Sequence, residues 1–231
     1  MKKLRRVLVV VALLGFVTAP AMATLVEDPW VPPGYELNLY EIVNALYGQS
    51  YASSADMMFA QVAAPLDEVF SGGQAIQATA RYAANVQTFG WYQYTGVGDP
   101  TTLTPLLEVM DTGLGDWGSA TISPVGDYGF YDRAWLPGED DYTWFSESDE
   151  NLNGEDHLVL YDLGLLVDSS YAGSFLMSWE DKPFADSDRD YNDLVLELRA
   201  TSIVPEPTSI ALLGLGIAGM VFRRFRSASA A

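Results

Sequence analysis

Residues 74–82, QAIQATARY, place Ile76, Ala78, Ala80 and Tyr82 at every second position. A period of two belongs to a β-strand with one face buried, and VQTFGWYQY (86–94) continues it after Asn85. Working outward, GSATIS (118–123), YGFYDRAW (128–135), DYTWF (141–145), DHLVLYDL (156–163), GSFLMSW (173–179) and YNDLVLELRA (191–200) read as further short strands, punctuated by Gly, Pro and Asp. This spacing predicts a mainly β fold, an antiparallel β-sandwich of jelly-roll-like type, with no βαβ units.

Upstream the period changes. In ELNLYEIVNALY (36–47), Leu39, Ile42, Val43 and Leu46 recur at i, i+3, i+4 and i+7, which predicts an amphipathic helix closed by Gly48. A second short helix is expected from Ser54, as cap, to about Ala63. The helical part is thus small and N-terminal.

The charge is lopsided: between Thr24 and Val204 thirty carboxylates face five basic residues, Arg81, Arg133, Lys182, Arg189 and Arg199, so this stretch is more acidic than the full chain at −19. Such a field repels nucleic acid and attracts cations. There is no cysteine, which excludes disulfides, thiol nucleophiles and zinc-thiolate sites.

The acid is densest in WEDKPFADSDRDYNDLVLEL (179–198). Glu180, Asp181, Asp186, Asp188, Asp190 and Asp193 fall within fourteen residues, with Asn192 among them. Carboxylates crowded in this way repel unless a cation collects them. All-oxygen donors without His or Cys select a hard ion, and flexible, high coordination favours calcium over magnesium. The expected ligands are Glu180, Asp181, Asp188, Asp190, Asn192 and Asp193, with Asp186 a weaker candidate further out. Extended backbone is expected to converge Asp188 and Asp190 while Tyr191 turns into the core. The competing reading is a solvated acidic turn.

The arrangement Glu180-Asp181, acidic turn, Asp188-x-Asp190-Tyr191-Asn192-Asp193 resembles an uncharacterised domain of secreted bacterial proteins. The resemblance covers about residues 149–200; it implies export and calcium binding, but it does not imply a reaction.

A weaker calcium-like stretch is DENLNGED (149–156). Asp149, Asn151 and Asn153 match the start of an EF-hand loop, but its twelfth position is Leu160 and a strand follows. The EF-hand fit fails there, which favours either a non-helical calcium loop or an Asx-rich turn around Asn153-Gly154. His157, the single histidine, has no Gly-x-Ser-x-Gly partner and reads as structural rather than catalytic. Trp117, Trp135, Trp144 and Trp179 among carboxylates admit a glycosidase cleft or a sugar-stacking module, although most such aromatics pack cores.

Both ends read as targeting segments. Lys2, Lys3, Arg5 and Arg6 precede an apolar run, Val7 to Val17, and Ala21-Met22-Ala23 offers a small-x-small cleavage site, so residues 1–23 read as a signal peptide. Pro205-Glu206-Pro207, an uncharged apolar stretch over 208–222 and Arg223, Arg224 and Arg226 close the chain. Their order resembles the PEP-CTERM sorting signal of Gram-negative bacteria, whose bearers are substrates of a membrane exosortase. That implies an inner-membrane transit with the arginines held cytoplasmic. The expected organisation is a signal peptide (1–23), an exported domain (24–204) and a sorting tail (205–231).

The sequence thus predicts an exported cell-surface or exopolysaccharide-matrix protein of structural or adhesive role, calcium-stabilised and not an enzyme. The expected partners are signal peptidase, exosortase and, at the surface, exopolysaccharide. The alternative is a calcium-dependent polysaccharide-binding module, and behind it a glycoside hydrolase.

Overall fold

A computed structural model of the chain describes residues 36–63, 69–96, 100, 102–135 and 141–201. The expected signal peptide and the apolar helix expected over 208–222 lie outside these residues. Among the described residues, no helix is long and apolar enough to cross a membrane.

Within the described residues ten strands form two antiparallel sheets: β1 (Phe70–Ser71), β2 (Gln74–Arg81), β3 (Val86–Gln93), β4 (Leu103–Val109), β5 (Gly113–Ile122), β6 (Asp127–Trp135), β7 (Tyr142–Phe145), β8 (Leu158–Asp162), β9 (Ser174–Trp179) and β10 (Leu194–Ala200). One sheet runs β5-β2-β10-β9-β8; the other runs β1-β6-β3-β4, with β7 also paired to β6. Ile76, Phe89, Val109, Phe130, Trp144, Leu160, Trp179 and Leu196, drawn from both sheets, bury into one shared cluster. The sheets therefore face each other across a common core, as in a β-sandwich.

The first sheet is covered on its other face as well. Helix α1 (Leu39–Tyr47), a 3₁₀ turn over Ser54–Ala60 and helix α2 (Leu163–Leu166) pack onto it through Leu39, Ile42, Val43, Met57, Leu163 and Leu166. This explains the unbroken apolar runs of β8 and β10. Leu158 and Leu160 face the sandwich while Val159 and Tyr161 face the helices; Leu194, Leu196 and Leu198 face the sandwich while Val195 faces the helices. A strand with two buried faces needs no polar alternation.

Helix α1 begins with a capping box, in which the Glu41 carboxylate accepts from the Asn38 amide at 3.0 Å, and ends at left-handed Gly48, φ 68°. The second helical piece is a 3₁₀ turn rather than an α-helix.

The alternation in 74–82 holds its period but changes face. Between Ala78 and Ala80, β2 carries one residue more than β10 opposite it. That bulge leaves Ile76 and Ala78 in the sandwich core and turns Ala80 and Tyr82 toward the helices. Arg81 is left buried on the sandwich side.

Candidate metal centre

The acidic segment 180–193 joins β9 to β10, two adjacent inner strands of the helix-covered sheet. Pairing runs on past the strand ends: the Glu180 amide donates to the His157 carbonyl (3.0 Å) and the Asp181 amide to Asp193 Oδ2 (2.8 Å). From the opposite sheet, Trp144 Nε1 donates to the Asp181 carbonyl (2.9 Å) and Gln87 Nε2 to Asp181 Oδ2 (2.9 Å).

The connection itself is pinned by aromatic stacking and by carbonyls. His157 is stacked between Trp144 (centroids 3.5 Å) and Phe184 (4.6 Å), and its Nδ1 donates to the Glu180 carbonyl (2.9 Å). The Arg189 guanidinium lies over Phe184 (4.3 Å), whose amide donates to Glu155 Oε2 (3.0 Å). The Tyr191 hydroxyl donates to the Asp156 carbonyl (2.6 Å), and its ring is fully buried among the helices' contacts. His157 is thus part of the packing that holds the connection. Burial lowers its pKa below the usual imidazole range.

Asp188 and Asp190 converge, but not by extended geometry. Residues 185–193 form no strand, and Arg189 (φ 61°) and Tyr191 (φ 56°) both occupy the left-handed region. A bulky residue there is a backbone outlier, and such outliers cluster at functional sites. The two left-handed steps, rather than strand alternation, bring the carboxylates to one side.

Two triplets of carboxylates result. Glu180, Asp188 and Asp190 form one, Glu180, Asp181 and Asp193 the other, and within each the ligand oxygens lie within 4.8 Å of one another. That span is close to twice the roughly 2.4 Å calcium–oxygen distance. Glu180 belongs to both, is 1% exposed, and its Oε2 has no hydrogen-bond partner.

Buried charge strains this corner. Burial, then the charges of Asp188, Glu180 and Glu36, pushes Asp190 up to about 9. Burial first, with Asp188 and Asp181 adding, pushes Glu180 up to about 7. Burial raises Asp181 against the Lys182 charge and its own hydrogen bonds, and burial followed by the charges of Asp181 and Glu180 raises Asp193. Four carboxyls that resist ionisation are four groups that a cation would relieve.

The remaining expected residues are placed unequally. Asn192 is fully buried; its Nδ2 donates to Asp190 and to the Leu37 carbonyl (2.9 Å), and its Oδ1 is unpartnered. Asp186 is exposed and joins neither triplet. Asp149 and Asn153 are exposed, whereas Asn151 is buried and uses its amide to hold the Phe145 backbone and the Glu155 carbonyl. With Asn153 and Gly154 both left-handed (φ 59° and 67°), that segment has the form of the Asx-rich turn.

Three residues that the sequence reading passed over complete the corner. Gln87 on β3 and Asp132 on β6 are fully buried, two positions from Phe89 and Phe130 of the sandwich core, and Arg81 reaches in from β2. Arg81 donates to the carbonyls of Asn85, Met110 (2.9 Å) and Asp111 (3.2 Å). The signal for Gln87 and Asp132 was a polar residue at an inward position of a period-two pattern.

Comparison with known proteins bears on the tail alone. No curated protein and no solved structure matches the chain. Residues 204–227, which include Pro205, Glu206, Pro207, Arg223, Arg224 and Arg226, match the family model of the PEP-CTERM protein-sorting motif, so the chain carries the mark of an exported, cell-surface-associated exosortase substrate.

Proposed function

We propose that this chain is a structural or adhesive surface protein of a Gram-negative bacterium, whose exported domain is stabilised by calcium at the β9–β10 connection. The observation that carries the reading is the Glu180–Asp188–Asp190 triplet, whose ligand oxygens lie within 4.8 Å of one another, together with a buried Glu180 oxygen that has no hydrogen-bond partner. Calcium suits it because every donor is oxygen and the set mixes an exposed Asp188 with buried Asp190, leaving room for water in a high coordination number. In a chain without cysteine, an ion that joins the ends of two inner strands takes the place of a staple. Signal peptidase would release residues 1–23, and the tail would hold the protein at the inner membrane until the exosortase acts.

Melting the protein in chelator and in millimolar calcium, with calorimetric titration alongside, tests the reading. A rise with calcium that magnesium reproduces poorly supports it; an unchanged melt with no bound calcium returns the segment to a solvated acidic turn.

A second reading, a polysaccharide-binding module, rests on a groove of about 350 Å³ beside the helices on the outer face of β5, β2 and β10. Gln77, Ser119, Thr121, Glu197 and Arg199 line it with donors and acceptors. At its edge the Tyr47 hydroxyl donates to Glu197 (3.1 Å). Binding on a glycan array that is lost in Gln77→Ala, with the melt unchanged, would favour this reading.

A further inference from the structure

We propose that the corner holds a second divalent cation, deeper between the sheets, on Asp181, Asp193 and the shared Glu180, with Gln87 and Asp132 behind them. This rests on the calcium reading above and extends it from one ion to two.

The inner triplet has its own support, independent of the acidic cluster. Gln87 aims its side-chain amide at Asp181, the nitrogen donating at 2.9 Å, while Oε1 of the same amide has no partner. Asp132 is 0% exposed, and neither of its oxygens meets a donor at hydrogen-bonding distance and angle. It points inward, opposite Trp144, whose indole is bonded to the Asp181 carbonyl. Gln87 Oε1 and the Asp132 carboxylate, on adjacent strands of one sheet, and Glu180 Oε2 on the other are buried oxygens without a donor, each costing roughly 1–3 kcal/mol if left bare, and Asp132 is close enough to Asp181 to feel its charge.

Charge points to a cation as that ligand. Glu180, Asp181, Asp188, Asp190, Asp193 and Asp132 bring six carboxylates to the corner, and the buried counter-charge beside them is the Arg81 guanidinium. Against Arg81 alone, one divalent ion would leave three negative charges and two would leave one, with Lys182 offsetting Asp181 from the exposed side. Glu180, common to both triplets, would bridge the ions, which puts them about 4 Å apart as in other carboxylate-bridged pairs. The two sites differ in access: the outer includes exposed Asp188, while the inner is closed by Gln87 and Trp144 from the opposite sheet. The inner ion should therefore exchange more slowly and join the two sheets rather than two strands of one sheet.

Native mass spectrometry and calorimetry on the full-length chain with calcium alone count the ions. Two per chain are expected. Asp132→Asn should weaken one by at least tenfold, Asp188→Asn should weaken the other, and Gln87→Glu should tighten the inner ion about tenfold by adding a carboxylate. A single ion in the wild-type chain, lost in Asp188→Asn and indifferent to Asp132→Asn, overturns the second site and leaves the calcium reading standing. No bound ion in the wild-type chain overturns both. Should Asp132→Asn fail to fold, the wild-type count and the sign of the Gln87→Glu effect decide.

Discussion

Replacing Asp190 by asparagine should raise the melting temperature in chelator and remove the outer ion's share of the response to calcium. Asp190 is 2% exposed, and its carboxyl is pushed from 3.8 up to about 9, by burial first and by Asp188, Glu180 and Glu36 after it. A carboxyl raised on folding contributes its full share of stability below its unfolded value, near 4, and loses it as pH climbs toward 9. At pH 7 the metal-free folded chain still keeps a proton that the unfolded chain has released. Over the roughly three units between 3.8 and 7, at about 1.4 kcal/mol each, this costs at most about 4 kcal/mol. Asparagine has no such proton, keeps an acceptor for the Asn192 amide (3.3 Å) and loses the bond from Asn192 Nδ2, about 1 kcal/mol. A net gain of about 2–3 kcal/mol corresponds to a rise of roughly 5–10 °C for a domain of this size.

Calcium acts the other way. A hundredfold excess over the dissociation constant stabilises the wild-type chain by about 2.7 kcal/mol and a thousandfold excess by about 4 kcal/mol, so the gap closes and then inverts. Differential scanning calorimetry at pH 7, in chelator and across a calcium series, reads both effects. An Asp190→Asn chain that melts lower than wild type in chelator, or that gains as much from calcium, would refute the reasoning.

The same linkage predicts that the metal-free melting temperature rises as pH falls from 8 to 5, because Glu180, Asp181, Asp190 and Asp193 are all raised on folding; calcium at saturation should flatten that slope, and parallel melts with and without chelator check it. Trp179→Ala removes a fully buried ring in contact with Phe89 across the sandwich (centroids 6.3 Å) and should cost about 3–5 kcal/mol in urea unfolding, with or without calcium. A chain ending at Thr201 should keep the melting temperature of the full chain while losing surface delivery in an exosortase host, since the matched sorting motif begins at residue 204; unfolding on truncation would show that the tail belongs to the fold.

Most of the strands were legible because burying one face imposes a period of two: the segments at 128–135, 141–145, 156–163, 173–179 and 191–200 coincide with β6 to β10 to within a few residues, while 118–123 covers only the second half of β5 (Gly113–Ile122). β4 escaped notice because TLTPLLEV alternates poorly: Leu106 and Leu107 are adjacent, and both pack at the margin of the core. The face change within β2 was illegible for a different reason. A bulge inserts a residue without disturbing the local alternation of apolar and polar side chains, so Ala78 and Ala80 look alike although they serve opposite layers. The length of α2, one turn from Leu163 to Leu166, is too short to show a helical period.

The acidic corner divides along the same line between local and non-local information. Glu180, Asp181, Asp188, Asp190, Asn192 and Asp193 lie within fourteen residues, so their gathering could be inferred from density alone. Their sorting into an outer and an inner triplet could not, because it depends on the left-handed backbone at Arg189 and Tyr191, a conformation that neither residue type favours. Still less could Gln87 and Asp132, 94 and 49 positions before Asp181, be assigned to the corner. What marks them is physical rather than sequential. Each interrupts the inward face of a strand whose neighbours are Phe89 and Phe130, and a polar group placed there without a donor or acceptor to meet it would be selected against unless something else filled the space. Inward-facing polar residues within core strands are therefore the signal by which the inner half of such a centre can be sought in other acidic, cysteine-free surface domains.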